Sequence, residues 1–164
     1  MKTRFLLSFY VALLISPALS AQDQQSAGSN PNAGLWPAHD PVMIKQDSVY
    51  YLFTTGGTIA SSTDMKNWTR GPRVFDRVPA WITSDMVPGL RGSGYWAPDI
   101  SYVNGTYYLY YSYSAFGKNT SVIGVATNKT LHYGEEGYKW IDHGPVVQSV
   151  PNRDFWKAIP VCRP

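Results

Sequence analysis

The sequence predicts an all-β protein of repeated short strands, in the manner of β-propeller blades. Three observations carry this. Aromatic residues make up 15% of the chain, with 12 Tyr and 6 Trp, a balance that favours strands over helices. Gly and Pro number 14 and 12 without any collagen-like period, which is turn chemistry. Finally, Tyr50-Tyr51-Leu52-Phe53 recurs as Tyr107-Tyr108-Leu109-Tyr110, 57 residues further on. This composition disfavours helical bundles, coiled coils and intrinsic disorder. An antiparallel sandwich with coincidental Tyr-Tyr pairs is the rival reading of the same pattern.

Taken in order, Met1 to Ser20 has a basic start (Lys2, Arg4), an apolar run from Phe5 to Ile15 and a small-residue end. That is the pattern of a secretory signal peptide, and the apolar run is shorter than the roughly 20 residues a membrane span needs. The expectation is therefore a secreted or periplasmic protein with no membrane anchor after cleavage. Without Lys2 and Arg4, 12 basic residues stand against 11 acidic ones, so no basic stripe for nucleic acid is expected. Residues 21–34 are polar and rich in Ser, Gly and Asn, a flexible leader. Residues 35–164 are left as the folded part.

Six segments read as strands: Val42 to Ile44, Val49 to Thr54, Gly57 to Ser61, Ile100 to Val103, Tyr107 to Tyr113 and Val122 to Thr127. They are β-branched or aromatic and bounded by turn residues. Asn104-Gly105, between Ser101-Tyr102-Val103 and Thr106-Tyr107-Tyr108, is a strong hairpin signal. Asp40 precedes the first unit and Asp99 the second, an offset of 59, while Trp68 and Trp140 close them. A repeat of about four short strands at this period is a propeller blade.

In a propeller the first strand of each blade lines the channel, so residues at strand entries converge on one funnel. His39-Asp40-Pro41 and Trp96-Ala97-Pro98-Asp99 stand at such entries. Proline holds an adjacent carboxylate in one orientation, and Tyr95 and Trp96 offer flat apolar faces for sugar rings. Carboxylates in an aromatic pocket are the equipment of glycosidic bond cleavage. Asp47, Asp64, Asp76, Asp85, Asp142 and Asp154 read as turn residues bonding their own backbone. His132 and His143 read as loop residues, and His39 as a packing or hydrogen-bonding group, having no metal-ligand spacing to a second ligand. No cofactor is identifiable, no metal site is assigned, and a metal in the channel of a complete propeller stays open. Phosphate-loop, nucleophile-elbow and dinucleotide motifs do not occur.

His39-Asp40-Pro41, the segment Ser62 to Trp68 and Trp96-Ala97-Pro98-Asp99-Ile100 resemble glycoside hydrolase family 43. The run from Tyr107 to Ser112, then Ala115-Phe116-Gly117 and Ile123 to Asn128, is most similar to its endo-arabinanases. The resemblance implies a five-bladed β-propeller, here incomplete, with about the first two to two-and-a-half blades. It implies inverting hydrolysis of α-1,5-linked arabinan, with arabinan or arabino-oligosaccharide as partner. Asp40 maps onto the general base, while His39, Trp96, Asp99, Phe116, Gly117, Ala158 and Ile159 map onto substrate-binding positions.

The resemblance fails at one decisive place. Arg153 to Ile159 approaches the segment that carries the Asp tuning the general acid, but Pro160 stands where that Asp belongs. No later segment supplies the acid, and Glu135 and Glu136 read as a solvated loop. The expectation is a chain holding the base and lacking its acid, inactive alone. Two rival expectations remain: an arabino-oligosaccharide-binding fragment that self-associates through exposed blade edges, or a non-functional truncated remnant.

Overall fold

The computed structural model describes residues 37–92, 94–150, 152–154 and 158–160. The expected signal peptide and leader, the segment Phe155 to Lys157 and Cys162 lie outside them. Eight strands follow one another: β1 (Val42–Gln46), β2 (Val49–Phe53), β3 (Thr58–Ser62), β4 (Thr69–Arg73), β5 (Tyr95–Val103), β6 (Thr106–Ser114), β7 (Ser121–Asn128) and β8 (Ile141–Ser149). They form two four-stranded sheets in the order β1-β2-β3-β4 and β5-β6-β7-β8. Every neighbouring pair is antiparallel. Each sheet is a simple meander, the blade unit expected from the repeat.

The hairpins follow from their turn residues. Asn104 and Gly105 both take positive φ (49° and 76°) and join Val103 to its partner Thr106, as a two-residue hairpin requires. In the β3–β4 loop, Asp64 accepts the N–H groups of Lys66 and Asn67 at 2.9 and 2.8 Å. These bonds hold its carboxyl far below the usual range.

Two strands escaped the sequence reading. Both β4 and β8 are the outermost strands of their sheets, and both follow a tryptophan and contain Gly-Pro: Gly71-Pro72 and Gly144-Pro145. Proline lacks an N–H and belongs on a sheet edge, so the residues that hid these strands are those an edge admits. His143 accordingly sits in β8 rather than in a loop, 2.7 Å from the Thr127 hydroxyl.

Period-two alternation sets the core. Along β6, Tyr107, Leu109, Tyr111 and Tyr113 point to one face and are buried. Tyr107 and Leu109 pack with Tyr51, Phe53, Ile59 and Val74, which joins the two sheets. Tyr111 and Tyr113 pack instead under Ile82 and Val87, from the connection between β4 and β5. That connection is pinned by Asp142, which accepts the Trp81 indole N–H at 2.8 Å and the Tyr111 hydroxyl at 2.6 Å. Asp142 also takes its own turn's Gly144 N–H at 3.0 Å, so it does more than bond its own backbone.

The two sheets are locked at one end by polar contacts. Gln46 accepts the Leu131 N–H at 2.6 Å and donates to Thr130 at 3.1 Å. His132 lies between the Tyr51 hydroxyl (2.7 Å) and the Asp47 carboxylate (2.9 Å). Glu135 belongs to the same cluster through Thr130. Gln46 ends β1 and Asp47 follows it, so this cluster is separated from Asp40 by the length of the strand, on the order of 20 Å at 3.3 Å per residue.

Candidate active site

The opposite end of β1 is where the two blades can be compared residue by residue. Val42 lies opposite Phe53 and Asp99 opposite Tyr110, so residues 57 apart hold equivalent places. Carried back along both strands, His39-Asp40-Pro41 falls on Trp96-Ala97-Pro98. The backbone agrees: Asp40 and Ala97 both adopt positive φ, 48° and 37°. The Thr55 N–H donates to the His39 carbonyl at 2.9 Å, just as Trp96 pairs with Ser112. The counterpart of Asp40 is therefore Ala97, and Asp99 is the counterpart of Val42. The 59-residue offset is corrected to 57: Asp99 stands two residues beyond Ala97, the true counterpart of Asp40, and both sheets shift register in the same place.

A residue with a Cβ in the left-handed region, followed by proline, is disfavoured twice over. Such strain costs about 1–3 kcal/mol and persists only where the surroundings enforce it. At Asp40 the enforcement is visible. The Thr55 hydroxyl donates to Asp40 Oδ2 at 2.7 Å, and His39 Nδ1 lies 2.7 Å from the same oxygen. Thr55 Oγ1 in turn accepts the Ala97 N–H at 3.0 Å. One hydroxyl thus ties the entry of the second blade to the carboxylate of the first. Both bonds fall on Oδ2; among the described residues Oδ1 has no partner, and the side chain is 39% exposed. A carboxylate oriented through one oxygen and open at the other is arranged to accept a proton from water.

Thr55 was missed by the sequence reading, which left it between the strands Val49 to Thr54 and Gly57 to Ser61. The available signal was Ser112, a hydroxyl 57 residues on, which donates to the Trp96 carbonyl at 3.2 Å.

Beside this relay lies an open cleft of about 590 Å³, whose walls include Thr55, Arg91, Tyr95, Trp96, Phe116 and Lys118. Trp96 and Phe116 stack with ring centroids 5.9 Å apart and planes 23° from parallel, and Phe116 is 86% exposed. An aromatic ring of that exposure is a platform for the apolar face of a sugar. Tyr95 is not one: only 3% exposed, it stacks on Tyr111 and meets Tyr113 edge-on. Its hydroxyl finds no partner among the described residues, and burial drives the phenol well above its ordinary titration range.

The remaining sequence-derived positions are dispersed. Gly117 takes φ 72° in the exposed turn between Phe116 and Lys118. Asp99 is half-buried within β5 and does not line the cleft. Ala158 is 2% exposed and its N–H is taken by the Ser121 hydroxyl at 2.7 Å. Ile159 and Pro160 are half-buried. Asp154 accepts the Val150 N–H at 2.7 Å and a two-pronged contact from Arg153, which lowers its carboxyl. Among the described residues, no three His, Cys, Asp or Glu side chains group to hold a metal ion.

Comparison with known proteins places this geometry in context. The pattern of glycosyl hydrolases family 43 matches residues 35–156. An extracellular exo-α-(1→5)-L-arabinofuranosidase of Cellvibrio japonicus is 50% identical over 123 residues, which are 74% of this chain and 35% of that protein. An extracellular endo-α-(1→5)-L-arabinanase of Bacillus subtilis is 38% identical over 151 residues, covering 85% and 45%. The solved Cellvibrio cellulosa α-L-arabinanase in complex with arabinohexaose superposes with a TM-score of 0.71 at 48% identity, over 76% of this chain and 39% of that one. The chain thus spans less than half the length of the relatives it matches. Two blades in about two-fifths of a solved relative's length is the share that two blades of five would occupy.

Proposed function

The chain belongs to glycosyl hydrolases family 43, and from that premise we propose that it is the base-bearing part of a secreted arabinan hydrolase. Asp40 is the general base. Its Oδ2 is fixed by Thr55 and His39, and its open oxygen activates the water that attacks the anomeric carbon. The observation that carries this reading is that oriented carboxylate beside a cleft bearing an exposed, stacked Trp96–Phe116 pair. Extracellular names among the relatives and the Met1 to Ser20 pattern support secretion.

Inversion requires a second carboxyl about 6.5–9.5 Å from the base, leaving room for the water. Glu135 belongs to the cluster at the far end of β1, beyond that reach, and Pro160 stands at the position of the tuning carboxylate. On this reading the chain binds arabino-oligosaccharide and orients the water, while Glu135 does not protonate the leaving oxygen. A missing general acid commonly costs about 10²–10⁴-fold in rate.

Two measurements test this. Calorimetric titration with arabino-oligosaccharide should give binding heat that falls in Phe116→Ala. Release of oligosaccharides from linear arabinan should stay near background. A folded sample that gives no heat refutes the binding role, and robust turnover that survives Asp40→Ala refutes Asp40 as base.

A further inference from the structure

The charge of the cleft is not that of a surface made only for a neutral chain. Arg91 and Lys118 stand on its walls, and the Asp40 carboxylate lies beside it, bonded to the wall residue Thr55 at 2.7 Å. Gly56, Gly92 and Tyr95 are shared with an adjoining hollow of about 280 Å³, whose walls add Arg73, Arg77 and Asp76. The two adjoin at these residues, and their walls together carry four cationic side chains and one carboxylate. The whole sequence has 14 basic residues against 11 acidic ones, so the groove concentrates an excess the chain does not otherwise show. None of the four cations forms a salt bridge among the described residues, where the ion pairs are His39–Asp40, His132–Asp47 and Arg153–Asp154.

A single unpaired surface Lys or Arg is ordinary. Four on one concave surface are different, because low-dielectric walls, here the rings of Tyr95, Trp96 and Phe116, focus the field of the charges that rim them. Guanidinium groups pair two N–H donors with the two oxygens of a carboxylate, and three of the four cations are arginines.

We propose that this groove binds a saccharide bearing carboxylates, a uronate-containing glycan segment, with its neutral rings on the Trp96–Phe116 platform and its acid groups on Arg91, Lys118, Arg73 and Arg77. The proposal rests on the reading of the cleft as a sugar site and extends it from neutral arabinose units to acidic sugars. Sulfate esters carry the same charge without the planar carboxylate, so the test includes them.

The experiment is calorimetric titration of the full chain with trigalacturonate, a sulfated trisaccharide and neutral arabinotriose, at low and at physiological salt. Trigalacturonate should bind about tenfold more tightly than arabinotriose, and its advantage should shrink severalfold as salt screens the groove. In Arg91→Ala/Lys118→Ala, whose fold is checked by its melting curve, the ratio of acidic to neutral affinity should fall about tenfold. Arg73→Ala/Arg77→Ala should lower the same ratio, and serves if the first variant does not fold. Neutral binding equal to or tighter than acidic binding overturns the proposal while the arabinan reading stands. Acidic binding without any neutral binding overturns the arabinan reading instead. A sulfated ligand preferred over trigalacturonate, or a ratio unmoved by either variant, overturns the uronate assignment.

Discussion

Replacing Thr55 by valine isolates the relay that joins the two blades at the candidate base. Valine keeps the β-branched shape and removes one donor and one acceptor. The Ala97 N–H loses its partner at 3.0 Å, and for this half-buried residue the loss is about 1 kcal/mol. The 2.7 Å bond to Asp40 is charge-assisted, a class worth about 1.5–3 kcal/mol when shielded. With the Asp40 side chain 39% exposed, water replaces part of it, and about 1 kcal/mol is lost. The total is about 2 kcal/mol. Followed by tryptophan fluorescence in urea, Thr55→Val should lower the unfolding midpoint by about 1 M at unchanged slope, for a slope near 2 kcal/mol/M. Thr55→Ser keeps both bonds and should lie within about 0.5 kcal/mol of the parent. In an Asp40→Ala background, Thr55→Val should cost only the Ala97 share, a coupling of about 1 kcal/mol. A Thr55→Val midpoint equal to the parent's, or a serine variant as damaged as the valine, would refute the relay.

Other consequences of the packing are open to measurement. At Gly124 an added Cβ would lie 2.6 Å from the Tyr111 hydroxyl and 2.9 Å from the Trp81 ring, the two groups that Asp142 holds. Gly124→Ala should therefore destabilise by about 2–3 kcal/mol, seen as a lowered thermal midpoint; an unchanged midpoint would show that this junction is loose. Burial raises the phenol of Tyr51 from 10.0 to about 12 and pushes Tyr95, Tyr111 and Tyr113 up further still. The unfolded chain releases these protons near its ordinary value of about 10, before the folded one does. Stability should thus be intact below that pH and fall as pH rises through 10 to 12 and beyond, with late phenolate absorbance. Phenolate signal complete near pH 10 without unfolding would contradict the burial.

Much of this architecture is legible in the residues because it is local. Alternation along Tyr107 to Tyr113 gives a strand with one buried face, Asn104-Gly105 gives a hairpin, and the Tyr-Tyr repeat gives the blade period. The first two depend on neighbours within a few positions and the third on a plain recurrence of four residues, and each stands in the structure. Asp40 was singled out by a local signature too, a carboxylate before Pro41 at a strand entry, and its role as base is for the Asp40→Ala measurement to decide.

What only tertiary structure decided is whatever depends on residues distant in sequence. The edges β4 and β8 look like loops until three inner strands supply a ladder that an edge proline can join. Tyr95 and Trp96 are adjacent and chemically alike, yet consecutive strand residues face opposite sides, so one is buried against Tyr111 while the other stacks with the exposed Phe116. Asp99 shares a motif with Trp96 but not its place, because it lies further along β5, at the position that Val42 holds in the first sheet. Thr55 acquires its role only when the entries of two blades meet across it. The sequence alone determined an all-β repeat with a proline-flanked carboxylate at its entry. The three-dimensional packing decided which hydroxyl holds that carboxylate, which aromatic ring faces solvent and where the unpaired cations gather, because burial and hydrogen-bond partnership are properties of pairs that the chain order does not contain.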